Sequence, residues 1–156
     1  HGGQVVTIER DGRLAEEAKA NIAEAGVQGV VTVAPGSAFK VLRDLPGPWD
    51  FAFLDATKQE YIGYLDRLLP RLSPQALLVA DNVLSHADEL RTFTERVLSD
   101  PSIDATVLPV GTGLLIGVFE GERTPAPEAV GRTVLSLKQL MAAVAPNRER
   151  VRGAQR

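Results

Sequence analysis

Two short apolar runs in this chain end on acids. PheAlaPheLeuAsp at 51–55 stops on Asp55, and AlaLeuLeuValAlaAspAsn at 76–82 stops on Asp81 with Asn82 behind it. Two carboxylates and an amide offer oxygen donors only, which suits a hard divalent cation such as Mg²⁺ or Ca²⁺ better than zinc. Lys58 follows Asp55 by three residues. A lysine beside a metal in a partly closed site can have a lowered pKa and act as a general base. Glu9 ends an earlier apolar run and is suited to accept hydrogen bonds from ribose hydroxyls. Gly36-Ser37-Ala38 would let backbone approach a ligand closely. Each feature also has a plainer reading. Strand-terminal acids cap the next helix, Lys58 is a solvated lysine, Glu9 is a loop acid and Gly36 makes a turn.

The elements around these residues decide whether they can meet. Residues 4–9 read as a strand, and Asp11 or Gly12 caps a helix to about Ala25, with Leu14, Ala18 and Ile22 on one face and Gly26 as its stop. A second strand at 30–33 is closed by ProGlySer at 35–37, and a short helix over 38–45 runs to the breaker ProGlyPro at 46–48. Between the two acid-terminated strands, Tyr61, Tyr64, Leu65, Leu68, Leu69 and Leu72 recur at helical spacing, and Ser73-Pro74 ends that helix. Apolar strand, helix, apolar strand makes a parallel βαβ unit covered on both faces. Residues 86–99 form another helix with Leu90, Phe93, Val97 and Leu98 inward. Strands at 104–110 and 113–120 flank GlyThrGly as an antiparallel hairpin at one sheet edge. The expectation is a doubly wound α/β domain over 1–120. Its ligands would lie beyond the carboxyl ends of the strands, where Asp55, Lys58, Asp81 and Asn82 converge.

Composition narrows the partners. The net charge is −3 and the isoelectric point about 5.4, so nothing in the overall charge calls for nucleic acid. No apolar run approaches the ~20 residues needed to cross a membrane, and no signal peptide opens the chain. The absence of cysteine removes disulfides and thiolate chemistry and fits a cytoplasmic protein. Residues 121–127 read as a linker, and 128–145 as a helix whose Val130, Val134, Leu137, Met141 and Val144 form a narrow apolar stripe. That stripe packs on the domain's own flank or pairs with a second copy. The tail at 146–156 is basic and expected to be disordered. The chain opens on HisGlyGlyGlnValVal and its only methionine is Met141, which reads as a fragment or a processed chain.

Taken in register, these pieces resemble the class I S-adenosylmethionine-dependent O-methyltransferases, specifically the divalent-metal-dependent catechol and caffeoyl-CoA O-methyltransferase-like family. PheLeuAspAlaThrLysGlnGluTyr at 53–61 is similar to that family's Asp-x-x-Lys-x-x-Tyr segment, and ValAlaAspAsnValLeu at 79–84 to its Ala-Asp-Asn-Val segment. ThrIleGlu at 7–9 and ValThrValAlaProGlySerAla at 31–38 resemble its two cofactor strands. The resemblance covers about residues 3–120. It implies a Rossmann-like, mostly parallel sheet and methyl transfer to a hydroxyl of a small catechol-like acceptor. Asp55, Asp81 and Asn82 would bind the metal, Mg²⁺ being expected, and Lys58 would be the catalytic base. Glu9, Arg10, Gly36, Ser37, Ala38 and Asp55 would bind the cofactor, and a homodimer is implied.

The departures are equally specific. The family's first strand and its acidic, glycine-rich turn would precede Gly2. The first strand here should therefore lack a neighbour on the side facing the strand at 51–56, and unpaired buried backbone there would cost roughly 1–3 kcal/mol per group. The hairpin carries Thr112 where many relatives have an acid. Two other readings remain: a catalytically silent α/β domain that dimerises, and a nicotinamide-dependent oxidoreductase using Glu9 on its ribose. The second predicts a Tyr-x-x-x-Lys pair, which this chain does not contain.

Overall fold

The computed structural model describes residues 2–121; the expected linker, helix and tail from 122 onward lie outside them. Six strands alternate with four helices: β1 (Val5–Glu9), α1 (Gly12–Glu24), β2 (Val31–Pro35), α2 (Ala38–Asp44), β3 (Trp49–Leu54), α3 (Tyr61–Leu68), β4 (Leu72–Ala80), α4 (Ala87–Ser99), β5 (Ile103–Leu108) and β6 (Leu114–Phe119). Short 3-10 turns at Lys58–Glu60 and Leu69–Arg71 bracket α3.

The strands form two hydrogen-bonded sheets. β1 pairs with β2 in parallel, and β3-β4-β6-β5 make the second sheet. β3 runs parallel to β4, whereas β6 is antiparallel to both β4 and β5, so β6 alone is reversed in that sheet. The hairpin therefore sits at the edge as expected, with its second strand turned inward. No described strand lies between β1 and β3, in line with the missing neighbour anticipated for β1. Val5 on β1 and Phe51 and Phe53 on β3 are more than half exposed.

Alternation along the strands selects one buried face. Ala52 and Leu54 of β3, Ala76, Leu78 and Ala80 of β4 and Leu115 of β6 pack under α3 and α4 with Tyr61, Leu65, Leu68, Leu90, Phe93 and Val97. Of the positions whose helical spacing predicted a core face, Leu98 is exposed, Leu69 is half-buried, and Leu72 is buried but opens β4 rather than lying in the helix. In α1 Ala15 is fully buried and Ala18 and Ile22 are half-buried, whereas Leu14, expected on the same face, is exposed. Asp11 caps this helix by accepting from the backbone N–H of Arg13 and Leu14 at 2.8 and 3.0 Å, and Gly26 follows it at φ +70°.

The largest difference from expectation lies in β4. Ser73-Pro74 was expected to precede the strand, yet β4 begins at Leu72 and absorbs both residues in a bulge. Register passes from Trp49↔Leu72 to Phe51↔Leu77, with Gln75 at φ +69°. A proline is tolerated at such an irregularity because no ladder hydrogen bond is asked of it.

Candidate active site

β1, β2 and β3 deliver their last residues to one cleft of about 170 Å³. Its wall contains Glu9 and Arg10 after β1, Gly36, Ser37 and Ala38 after β2, and Asp55 after β3. All six residues expected to hold a cofactor thus meet in one place. Gly36 donates its backbone N–H to the Glu9 carbonyl at 2.8 Å, which fastens the two strand ends together. Its φ of +133° is backbone that a side-chain-bearing residue rarely adopts, so glycine is required there. The Glu9 carboxylate accepts the Asp11 N–H through Oε1 at 2.7 Å. One oxygen is thereby oriented and the other remains for a hydroxyl ligand, which fits a ribose.

Thr57, Glu60 and Tyr64 also line the wall; none was expected there, Tyr64 having been read only as part of the helical apolar stripe. Tyr64 donates its hydroxyl to Glu60. Burial and that carboxylate push the phenol above its ordinary pKa, so it stays a neutral donor. Both residues lie on or just before α3, whose apolar spacing masked their polar ends.

A second cluster forms where β3 and β4 end. Leu54 and Ala80 are register partners, and Asp81 donates its N–H to the Leu54 carbonyl at 3.0 Å. Asp55 and Asp81 therefore leave adjacent strands side by side, with strand axes roughly 5 Å apart. Lys58, on the 3-10 turn, donates to Asp55 Oδ1 and to the Tyr61 hydroxyl, each at 3.1 Å. Burial works against the Lys58 charge, but the bonds to Tyr61 and Asp55 outweigh it and raise the pKa above the ordinary lysine value. With no cation at the cluster, both partners favour the ammonium.

Asp81 Oδ1 accepts the Asn82 backbone N–H at 2.6 Å and the Thr112 hydroxyl at 2.7 Å. The Thr112 bond first, then that of Asn82, hold the carboxyl below its usual range. Asn82 donates its side-chain amide to Thr112 Oγ1 at 3.0 Å. The capping alternative for these acids does not hold. The residue before α4 is His86, and Thr57 precedes the 3-10 turn, so neither Asp81 nor Asp55 caps an element.

The donor chemistry fits a hard cation. Asp55, Asp81 and Asn82 offer oxygens only, both hydrogen bonds to Asp81 fall on Oδ1, and the engaged amide nitrogen of Asn82 turns its carbonyl oxygen away from Thr112. Among the described residues no group of three or more His, Cys, Asp or Glu that could hold a metal ion is found; the cluster here has two carboxylates and an amide. Tyr61 and Thr112, which orient the cluster, were missed as site residues. Tyr61 has a local signal in its spacing from Asp55 and Lys58. Thr112 is 31 residues from Asp81, and only the strand pairing brings it there.

The family model described as O-methyltransferase matches residues 1–118. The chain belongs to the O-methyltransferase family, of the class I, S-adenosylmethionine-dependent kind. A catechol O-methyltransferase of Niastella koreensis is 32% identical over 134 residues, covering 76% of this chain and 58% of that protein. An O-methyltransferase from Bacillus cereus, solved in complex with SAH, has a TM-score of 0.70 at 29% identity and covers 76% of this chain and 64% of its own. TomG from Streptomyces achromogenes, solved with SAM and involved in tomaymycin synthesis, has a TM-score of 0.69 at 31% identity, over 76% of this chain and 63% of its own. The chain therefore spans about 58–64% of the length of these relatives. No helix among the described residues is long and apolar enough to cross a membrane.

Proposed function

We propose that this chain transfers a methyl group from S-adenosylmethionine to a hydroxyl of a small, catechol-like acceptor with the help of a divalent cation. The observation that carries the reading is the cleft that gathers Glu9, Arg10, Gly36, Ser37, Ala38 and Asp55 from three successive strand ends. Glu9 would accept from the ribose hydroxyls, and the Gly36–Ala38 backbone is the part of the wall that would meet the adenine. S-adenosylmethionine, when bound, supplies a methyl group on a sulfonium, an electrophile that needs orientation more than activation.

Asp55, Asp81 and Asn82 are the residues that would hold the cation. Bound there, it would lower the pKa of a chelated acceptor hydroxyl and draw Asp55 away from Lys58. Lys58 is the residue that takes the hydroxyl proton. Without a competitor for Asp55 its nitrogen is held as the ammonium by Asp55 and Tyr61. The side chain is only 13% exposed, so bulk water replaces those partners poorly.

Calorimetric titration with S-adenosylhomocysteine, with and without Mg²⁺, tests this function. Micromolar binding is expected. A folded protein that binds nothing would refute it and favour a catalytically silent domain.

A further inference from the structure

We propose that Thr112 is a positioning residue that sets Asp81 and Asn82 for a divalent cation, an inference that rests on the metal reading above. The geometry leaves one assignment of donors and acceptors. An amide NH₂ only donates and an ionised carboxylate only accepts, whereas a hydroxyl has one proton and two lone pairs. The Thr112 hydroxyl therefore accepts from Asn82 Nδ2 at 3.0 Å and donates to Asp81 Oδ1 at 2.7 Å. One side chain fixes the rotation of both neighbours. The carbonyl oxygen of Asn82 is turned away from Thr112, and Oδ2 of Asp81 carries no hydrogen bond among the described residues.

The backbone explains why a hydroxyl is placed there. β4 and β6 pair antiparallel with Ala80 opposite Leu115, so the chain leaving β4 meets the chain entering β6. The Thr112 carbonyl accepts the N–H groups of Leu84 and Ser85 at 3.1 and 3.0 Å, and the Gly113 carbonyl accepts that of Val83 at 3.1 Å. Gly113 permits the approach: at φ +91°, a Cβ there would lie 2.5 Å from Leu84 Cγ. The turn being fastened is itself strained, since Asn82 sits at φ +69° without being glycine. Adopting that conformation brings the Asn82 amide to Thr112 and its N–H to Asp81.

An acid at position 112 would compete with Asp81 for the cation and repel it. Threonine instead donates its proton to Asp81, which keeps the pair to a single carboxylate at this end of the cluster. Its influence on the metal is through Asp81 and Asn82, in the way that hydrogen-bond partners behind metal ligands commonly change affinity by 10–100-fold.

The test compares the 156-residue chain with Thr112→Val, which keeps the shape and removes the hydroxyl, and Thr112→Ser, which keeps the hydroxyl. Free Mn²⁺ is followed by electron paramagnetic resonance during titration, and S-adenosylhomocysteine affinity without metal is measured alongside. Thr112→Val is expected to weaken Mn²⁺ binding about tenfold or more. Thr112→Ser should stay within about threefold of the parent, and cofactor affinity without metal should not move in either. Parent-like Mn²⁺ binding by Thr112→Val would overturn the role of Thr112 while leaving the metal reading intact, as would Thr112→Ser binding as weakly as Thr112→Val. Failure of the parent chain to bind Mn²⁺ would overturn the metal site and the inference together.

Discussion

Tyr61 ties the core to the Asp55–Lys58 cluster, and Tyr61→Phe separates those two jobs. The ring is fully buried and meets Phe93 edge to face, with centroids 5.3 Å apart. Phenylalanine preserves that packing and removes a single oxygen. The hydroxyl donates to the Leu54 carbonyl at 3.0 Å and accepts from the Ala56 N–H at 3.2 Å and from Lys58 at 3.1 Å. Three lost bonds at the full cost of an orphaned buried group would total several kcal/mol, at roughly 1–3 kcal/mol each. The surroundings argue for much less. The Leu54 carbonyl keeps the Asp81 N–H, Ala56 is exposed and can turn to water, and Lys58 keeps Asp55. One ordinary net hydrogen bond is then lost, about 1 kcal/mol, or a fall of roughly 3–5 °C in melting temperature. Urea denaturation with an unchanged slope measures it. A loss beyond about 3 kcal/mol would mean that Leu54 and Ala56 are orphaned, and no loss would mean that the hydroxyl makes none of these bonds. In the same variant methyl transfer should fall more than stability predicts, because Lys58 retains one anchor of two.

Other expectations reach different parts of the molecule. Asp81→Ala should abolish metal-stimulated methyl transfer while leaving S-adenosylhomocysteine affinity within a few-fold; unchanged activity would end the metal assignment. Glu9→Ala should weaken S-adenosylhomocysteine binding at least tenfold, given about 1.5–3 kcal/mol for a hydrogen bond to a charged group, and calorimetry that shows parent affinity would remove Glu9 from the cofactor site. Gly113→Ala combines φ +91° with a contact of 2.5 Å to Leu84 and should cost about 2 kcal/mol or more in urea; a neutral result would contradict the loop geometry. The Ser102 hydroxyl foremost, then its backbone N–H and Arg96, hold the Asp100 carboxyl below its ordinary value of 3.8 against partial burial. A depressed folded pKa contributes stability that is full above the unfolded value and lost as pH falls through the folded one. Asp100→Asn should therefore flatten the fall in melting temperature below about pH 4, and an unaltered slope would assign that fall to other groups.

How much of the site was legible follows from how far apart its residues lie in the chain. Asp55 and Lys58 are three residues apart, and the structure joins them at 3.1 Å. Glu9 ends a strand and Gly36 and Asp55 each directly follow one, and strand ends in a parallel arrangement fall on one rim whatever the side chains are. That is why six residues named from the chain line a single cleft. Leu98 and Leu14 were misread for the opposite reason. Helical spacing defines a stripe, but the partner surface decides which edge of that stripe is covered, and neither leucine has one.

The sequence by itself determined the periods and the chemistry: apolar runs of strand length, an apolar helical face from Tyr61 to Leu68, oxygen-only donors at Asp55, Asp81 and Asn82, and an acid at the end of β1. These are local properties, set by residue type and by repeats of two or 3.6 residues. The tertiary structure decided what no local property encodes. The reversal of β6 between β4 and β5 carried Thr112 to Asp81, and the hydrogen bonds of Lys58 to Asp55 and Tyr61 raised its pKa. Pairing between strands distant in sequence, and the electrostatics of groups it brings within hydrogen-bond reach, exist only once the sheet has formed.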